Sequence, residues 1–294
     1  MSPPHEHQHD DDTDIDWAAM AANLELEAEM MLPYVTEAAD AAAGVCREAG
    51  ITVRRILDIG SGPGVMACEL ARRFPAATVI AADGAEPLLQ RVVARAEEAG
   101  LAGRVKTVRV DLPDGVDALG HADLIWMAMV LHHIGDEAAM LRRLVRMLEP
   151  RGVLMLAEHG DPLRFLPEGA EPCPPGFIGR LEALEAEWLA AMRADLPGSK
   201  PSDVYPAMLE SAGFTVAVDR LPHVRSAVPL ADAPRRAVLS TLRQMQDLGA
   251  DRLDAVDRAA LDVLIDEGAP LGVMRRDDVV FEASRHVYVA TVGS

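Results

Sequence analysis

The stretch Ile56-Leu57-Asp58-Ile59-Gly60-Ser61-Gly62-Pro63-Gly64 decides how the chain folds. It begins in an apolar, β-branched run (53–59) and ends in a turn dense in glycine. A helical pattern follows at once from Val65. Strand, tight turn and helix form the layout in which an open α/β sheet presents a turn and a helix N-terminus to a nucleotide-like ligand. The glycines let the backbone approach that ligand without a Cβ in the way.

The spacing of these glycines argues against two common nucleotide sites. A dinucleotide-binding turn, G-x-G-x-x-G/A, needs glycine or another small residue at position 65, where this chain has valine. A phosphate-binding loop needs a Gly-Lys-Ser/Thr sequence, and no lysine follows Gly64. Asp58, which precedes the first glycine by two residues, would repel a pyrophosphate but suits a cationic ligand that carries an amine. S-adenosylmethionine is such a ligand.

Two further aspartates follow the next two predicted strands. Asp83 ends a short buried strand at 77–82, and Asp111 ends a third strand at 105–110. Ligands of open α/β sheets bind at the carboxyl ends of the strands, so the aspartates are expected to meet at one edge of the sheet. The glycine loop and these strand-end aspartates together resemble the cofactor site of the class I S-adenosylmethionine-dependent methyltransferases.

The resemblance implies a role for each of these residues. Asp58 would hold the methionine amine of S-adenosylmethionine, and Asp83 would accept both ribose hydroxyls in a bidentate fashion. Asp111 would accept from the adenine amino group, beside the backbone of Leu112. The product of methyl transfer would be S-adenosylhomocysteine. The residues expected to bind the cofactor are Asp58, Gly60, Ser61, Gly62, Gly64, Asp83, Gly84, Asp111, Leu112 and Met127.

The centre of the chain continues to alternate strands with helices. Further strands are predicted at 122–127 and 153–157, and between them Asp136 caps a helix that runs to Leu148. This alternation favours right-handed βαβ units and a parallel sheet. With the family's topology added, the expected fold is α/β and Rossmann-like. It has a mostly parallel seven-stranded sheet with an antiparallel last strand, an N-terminal helical lid and helical insertions.

The composition along the chain suggests five segments. The polar N-terminal residues have nothing to bury and are expected to be disordered. In the methyltransferase fold the last two strands form a hairpin with a short connection, so the long connection here is interpreted as an insertion. The expected segments are a disordered tail (1–14), an N-terminal helical lid (15–50), the cofactor-binding core (51–160), a loop and helix over the active site (161–206), and the end of the sheet (207–294) with a helical insertion at about 222–282.

Charge and composition narrow the classes of partner. The formal net charge is −19, from 47 acidic and 28 basic residues, which argues against nonspecific binding of a nucleic acid backbone. Three cysteines far apart in the sequence are expected to be reduced thiols of a cytoplasmic protein. No apolar run is long enough to cross a bilayer. The expected partner is therefore a small molecule, and whether the chain forms homodimers is left open.

After the fourth predicted strand comes Val130-Leu131-His132-His133-Ile134. It resembles the Leu-His segment of plant-type O-methyltransferases, whose histidine deprotonates the substrate hydroxyl. His132 takes that place, so His132 and its neighbour His133 are the candidate catalytic residues. A polar loop histidine near the cofactor is the alternative, because quinone-type C-methyltransferases also carry Leu-His-His without using it as a base. The metal-dependent, catechol-type methyltransferases carry a carboxylate here, and none lies between Met127 and His133. The resemblance therefore implies a metal-independent reaction, and no metal site is predicted.

The acceptor pocket is predicted from aromatic, methionine and histidine residues that flank the same edge of the sheet. These are Trp17, Met31, Tyr34, His159, Phe177 and Trp188. The predicted function is methyl transfer from S-adenosylmethionine to a small organic molecule, with oxygen favoured over nitrogen or carbon. The alternative keeps the fold and the cofactor but catalyses cyclisation or decarboxylation instead.

Overall fold

A computed structural model describes residues 17–199, 204–226 and 228–293 of the 294-residue chain. The predicted tail at 1–14 lies outside the described residues. The helices are α1 (Trp17–Met30), α2 (Leu32–Glu48), α3 (Val65–Arg73), α4 (Glu86–Glu98), α5 (Glu137–Met147), α6 (Phe177–Ala194), α7 (Tyr205–Ala212), α8 (Asp232–Gly249) and α9 (Ala255–Ile265). The strands are β1 (Arg55–Ile59), β2 (Thr78–Asp83), β3 (Val105–Arg109), β4 (Ala122–Ala128), β5 (Leu148–His159), β6 (Phe214–Arg220), β7 (His223–Arg225) and β8 (Glu282–Val292).

The sheet has the strand order β3-β2-β1-β4-β5-β8-β6. Neighbours from β3 to β5 are parallel, whereas β8 runs antiparallel to both β5 and β6. This confirms the predicted α/β fold with a mostly parallel sheet and an antiparallel last strand. The three-residue strand β7, which pairs with β8, was not predicted because so short a run carries no periodicity.

The order in which strands are added to the sheet reverses at β1. From this strand, β2 and β3 extend to one side, and β4 and β5 extend to the other. Ligands of open α/β sheets bind in the crevice outside the carboxyl ends of the strands at such a switch point. The glycine loop leaves β1 at this crevice, so the topology itself places the loop in the site.

Helices cover both faces of the sheet. One core contains buried residues of α2, α3, α4, α6, α8 and α9, and the other contains buried residues of α5 and α7. Along β4 the side chains alternate between the two cores, with Trp126 in the first and Met127 in the second. Burial of a large apolar side chain contributes about 1.5–3 kcal/mol, so the two cores fix the height and rotation of the strands whose ends form the site.

Local sequence signals begin several of these helices as expected. Asp136 caps α5, and its Oδ1 accepts a hydrogen bond of 2.8 Å from the backbone N–H of Ala139. Asp254 caps α9 in the same way, through the N–H groups of Val256 and Asp257. Helix α4 carries a proline in its first turn, where a missing N–H costs nothing. Within the described residues, no helix is both long and apolar enough to span a bilayer.

Candidate active site

A cavity of about 720 Å³ opens at the carboxyl ends of β1, β2 and β4. The glycine loop, with Asp58 and Asp83, lines one part of it. Residues of α1 and α2, together with Trp126 of β4, line another part. Its volume lies within the roughly 300–1,000 Å³ that is typical of ligand sites.

Asp58 lies at the bottom of this cavity. Its side chain is 1% exposed, and among the described residues its Oδ2 has no hydrogen-bond partner. Ser61 Oγ, on the same wall, is also buried without a partner there. Burial, together with the charge of Asp83, raises the pKa of Asp58 to about 8, although the backbone N–H of Ala67 opposes the shift. A buried carboxylate oxygen without a partner is what a ligand ammonium group would satisfy, so the site fits the amine predicted from the sequence.

The glycine loop is held against this carboxylate by the next strand. Gly62 N–H donates to Asp83 Oδ2 and Ala85 N–H donates to Asp83 Oδ1, both at 2.9 Å. Each carboxylate oxygen keeps a lone pair for a further donor, because a carboxylate has about four acceptor positions. Asp83 therefore fixes the loop and still fits the predicted ribose diol.

Gly60 has a backbone conformation and a neighbour that both require glycine. Its φ is +70°, in the left-handed region. A Cβ at this position would lie 2.2 Å from Val130 Cγ2. Val130 belongs to the segment after β4, so any side chain at position 60 would push two walls of the cavity apart.

Substituting Gly60 with alanine is expected to destabilise the protein and to weaken cofactor binding at least tenfold. The matched control is Gly50→Ala, since Gly50 has a similar φ of +68° but nothing within 4 Å of its Cβ position. Both substitutions add left-handed strain of roughly 1–2 kcal/mol. The clash adds about 1–3 kcal/mol at position 60 alone. Thermal unfolding and calorimetric titration with S-adenosylhomocysteine measure the two effects; equal losses in both variants would contradict the close approach to Val130.

The residues predicted to bind adenine lie only partly where the sequence placed them. Gly84 and Leu112 line the cavity. Strand β3 ends at Arg109, so Asp111 lies two residues beyond it, is exposed, and is not in the lining. A Cβ built on Gly84 would lie 3.4 Å from Asp111 Oδ1, so this carboxylate is at the rim of the site. Met127 was predicted to bind the cofactor, but its side chain packs in the core on the far face of the sheet and is not in the cavity lining.

The two candidate catalytic histidines lie in a short 3-10 turn, Leu131–His133. His132 is buried and shares a hydrogen bond of 2.6 Å between its Nδ1 and Glu158 Oε2. His133 is exposed and lines the cavity, whereas His132 does not. The prediction that His132 faces the acceptor is therefore corrected: His133 is the histidine on the cavity wall.

Glu158 anchors the turn that carries both histidines. Its Oε1 accepts a hydrogen bond of 2.9 Å from Leu131 N–H, while its Oε2 holds His132. Burial raises the pKa of Glu158 to about 7 and lowers that of His132 to about 4. His133 is exposed on the cavity wall, where partial desolvation and the neighbouring His132 lower its pKa to about 4 as well. Burial thus outweighs the attraction within the pair, and both imidazoles are neutral at physiological pH.

Replacing Glu158 with alanine is expected to cost at least about 2 kcal/mol of unfolding free energy, because each buried group left without a partner costs roughly 1–3 kcal/mol. Glu158→Gln is the matched control. Its amide keeps an oxygen for Leu131 N–H and an N–H for His132, so it is expected to cost less than about 1 kcal/mol. Chemical denaturation measures both, and equal destabilisation of the two variants would contradict the anchoring role.

His132, Glu158 and His159 bring their ligand atoms within 4.8 Å of one another, the kind of set that can hold a metal ion. The His132 Nδ1 to Glu158 Oε2 distance is only 2.6 Å. Two ligands bound at about 2.0–2.1 Å to one tetrahedral ion stand roughly 3.3 Å apart. This geometry is that of a hydrogen-bonded pair, and a metal ion would have to separate it.

The predicted acceptor residues separate into two groups. Tyr34 of α2 and Met31, which directly precedes α2, line the cavity. The rings of Tyr34 and Trp126 lie 6.5 Å apart. Phe177 is fully buried in the core, Trp188 is half-buried, and neither is in the lining.

The packing of α6 explains why Phe177 and Trp188 are not in the cavity lining. This helix packs against α8, so the described residues of segment 161–206 do not line the cavity that the segment was predicted to cover. His159 is not in the lining either, although its ring lies 4.4 Å from that of His132. The side chain of Trp17 lies outside the described part of the chain.

Sequence reasoning missed Arg285 and Trp126, which both line the cavity. One signal was available for Arg285. The amino end of an antiparallel last strand meets the carboxyl ends of its parallel neighbours, so a charged residue near the start of β8 lies at the ligand edge. Trp126 gave no such signal, because residues 124–128 of β4 are all apolar.

Residues 56–152 match a family model described as a methyltransferase domain. The chain is similar to the demethylmenaquinone methyltransferase of Thermus thermophilus, at 28% identity over 62% of this chain and 83% of the relative. It is also similar to a ubiquinone/menaquinone biosynthesis C-methyltransferase of Pseudomonas putida, at 25% identity over 54% of this chain and 64% of the relative. The nocamycin O-methyltransferase of Saccharothrix syringae is 30% identical over 60% of this chain and 65% of the relative.

The matched region thus spans just under two thirds of the Pseudomonas and Saccharothrix proteins. The family match begins at β1 and ends within β5, so it contains the glycine loop, Asp83 and both histidines of the turn. The same region contains the switch point of the sheet and most of the strand ends that form the cavity. Residues 56–152 of the chain are thus similar to a methyltransferase domain, and the relatives reported above that align with the chain are methyltransferases.

Proposed function

We propose that this protein transfers the methyl group of S-adenosylmethionine to an oxygen atom of a small organic acceptor, without a metal ion. One observation carries the proposal. A single cavity joins the buried carboxylate of Asp58 and the glycine loop to an aromatic wall and a neutral imidazole, His133. Donor and acceptor would therefore share one cavity.

The cofactor end uses residues of three strands. Asp58 would bind the ammonium group of the methionine portion, and Asp83 would accept from the ribose hydroxyls while it holds the glycine loop. Gly84 and Leu112 would contact the adenine ring, with Asp111 at the rim. The cofactor supplies a methyl group on a sulfonium, which is already activated for transfer.

The acceptor end supplies alignment and a proton acceptor. Tyr34, Trp126 and Met31 give a largely apolar wall against which a planar acceptor can pack. Holding the acceptor oxygen in line with the methyl carbon removes much of the entropic barrier to transfer. His133 is neutral above about pH 4 and lies on the wall, where its imidazole would accept the proton of an acceptor hydroxyl.

The test is the formation of S-adenosylhomocysteine by the purified protein with a panel of phenols, enols and hydroxy acids, followed by mass spectrometry. A product heavier by one methylene unit, with one S-adenosylhomocysteine formed per product, would support the proposal. The yield is expected to be unchanged by EDTA if no metal takes part. Binding of S-adenosylmethionine without any turnover would instead favour cyclisation or decarboxylation at the same site.

Transfer to carbon is the second candidate, because two of the similar proteins are named for quinone substrates or C-methylation. The cavity geometry is compatible with either atom, since His133 can accept a proton from carbon or oxygen. The carbon–methyl correlation in the NMR spectrum of the product separates them. A methyl carbon bonded to oxygen supports the first proposal, and one bonded to a ring carbon supports the second.

A further inference from the structure

Arg285 lines the cavity but is not among the residues proposed to bind the cofactor. It stands near the amino end of β8, opposite His159 of β5 in the antiparallel register. Residues opposite one another in such a pair project from the same face of the sheet. The half-buried side chain of Arg285 is part of the same lining as Tyr34 and Trp126.

The guanidinium of Arg285 uses few of its hydrogen-bond donors within the protein. Nη1 donates to the backbone oxygen of Ser284 at 2.9 Å. Among the described residues, no carboxylate lies within ion-pair distance of it. An arginine carries five N–H donors in a planar fork and stays charged at every physiological pH. Most of that fork is therefore available to a ligand in the cavity.

Acidic groups surround Arg285 at longer range. Glu27 of α1 lines the same cavity, and burial raises its pKa while the charge of Arg285 lowers it. Partial desolvation raises the pKa of Glu185 on α6, which is exposed and outside the cavity lining, and Arg285 again opposes the shift. The positive charge is thus felt across the cavity without being neutralised by direct contact.

We propose that Arg285 binds a carboxylate of the methyl acceptor, so that the substrates are small aromatic or otherwise apolar carboxylic acids. This rests on the proposed function. A guanidinium and a carboxylate match in a bidentate pair of charge-assisted hydrogen bonds. A single arginine balances a monoanion, whereas the nearby carboxylates of Glu27 and Asp58 would oppose a doubly charged phosphate. The wall formed by Tyr34 and Trp126 accounts for the apolar part of the acceptor.

A competing role for Arg285 is a latch to Glu27, which would fasten α1 over the cavity. The two roles differ in what Glu27 does. If Arg285 binds the acceptor, removal of the Glu27 charge leaves acid binding intact or strengthens it. If the pair is a latch, Glu27→Gln and Arg285→Met weaken binding to a similar extent.

The experiment is calorimetric titration of the protein saturated with S-adenosylhomocysteine. The probes are benzoate, 4-hydroxybenzoate, 3,4-dihydroxybenzoate and decanoate, each beside its methyl ester. At least one acid is expected to bind about tenfold or more tightly than its ester, which corresponds to about 1.4 kcal/mol. In Arg285→Met, which keeps an unbranched apolar stem, that preference is expected to vanish, while the affinity for S-adenosylhomocysteine changes less than about twofold.

Three results would overturn the assignment. They are equal binding of every acid and its ester, a preference for the acid that persists in Arg285→Met, and a loss in Glu27→Gln as large as that in Arg285→Met. Binding of S-adenosylhomocysteine with no binding of any acid would also reject the carboxylate while leaving the proposed function intact. Failure to bind S-adenosylhomocysteine at all would reject the proposed function itself, so the two failures are distinguishable.

Discussion

Replacing Asp58 with asparagine is expected to weaken binding of S-adenosylmethionine by at least about 30-fold, since removing one partner of a buried charge pair costs roughly 2 kcal/mol or more. The Oδ2 atom of Asp58 is buried and has no hydrogen-bond partner among the described residues. An asparagine fills the same space but cannot neutralise an ammonium group. Calorimetric titration with S-adenosylhomocysteine, which carries the same amine, measures the loss. Affinity within a factor of three of the original would show that the amine binds elsewhere.

The same substitution is expected to stabilise the protein when no cofactor is bound. Burial raises the pKa of Asp58 to about 8 in the folded chain, well above its ordinary value of 3.8. The folded state therefore keeps a proton that the unfolded state has lost, and stability falls as pH rises from about 4 to about 8. Asparagine does not titrate, so the melting temperature of Asp58→Asn should exceed that of the original protein by more at pH 8.5 than at pH 5.

An exposed aspartate provides the control for both measurements. Asp114 lies on the surface and is not in the cavity lining, so Asp114→Asn is expected to change neither cofactor affinity nor the pH dependence of melting. In the original protein, cofactor affinity should rise between pH 6 and pH 8, because binding of the amine requires ionised Asp58. That rise should be absent in Asp58→Asn, and its persistence there would assign the titration to another group.

The loop from β1 to α3 and the Asp83 carboxylate were predictable because their signals are local. A β-branched run, glycines at fixed spacing and an aspartate at a strand end specify strand, turn and helix within ten residues of one another. The conformation of Gly60 is likewise a property of the turn itself, although its contact with Val130 is not. The position proposed for the cofactor's amine depends on Asp58 of the same stretch.

The residues placed wrongly depend on contacts made far along the chain. Residues 124–127 of β4 are buried on both faces and all apolar, so this part of the sequence does not reveal that Trp126 rather than Met127 faces the cavity. The apolar stripe of α6 is real, but it packs against α8, which begins 38 residues after α6 ends (232 − 194). The sequence of α6 alone cannot distinguish a lid from a core helix.

The different positions of the two histidines, of which only His133 lines the cavity, have a similar cause. His132 and His133 are adjacent in a 3-10 turn, and such a turn points neighbouring side chains in different directions. The rotation of the turn is set by Glu158, which lies 26 residues from His132 and holds both its ring and the Leu131 N–H. A local motif can identify the pair, but the partner on β5 decides which member lies on the cavity wall.

Replacing His133 with glutamine is expected to reduce kcat for a hydroxyl acceptor by about 10²- to 10⁴-fold, the range for loss of a general base. Glutamine keeps a polar side chain of similar length on the cavity wall but cannot accept a proton. His133 is not among the residues proposed to hold the cofactor, so the affinity for S-adenosylhomocysteine should change less than about threefold, or less than about 0.7 kcal/mol. Single-turnover measurement with an acceptor found in the product assay separates the chemical step from binding.

His132→Gln is the matched variant, because His132 is the adjacent imidazole but lies behind the wall, hydrogen-bonded to Glu158. It is expected to lower the melting temperature while keeping most of kcat at a permissive temperature. Burial holds the pKa of His133 at about 4, so the imidazole is already deprotonated at pH 6, and kcat at saturating cofactor should be flat from pH 6 to pH 8. Full turnover in His133→Gln would leave alignment alone as the source of catalysis. A loss confined to His132→Gln would instead return the proton to the buried pair, with Glu158 as its partner.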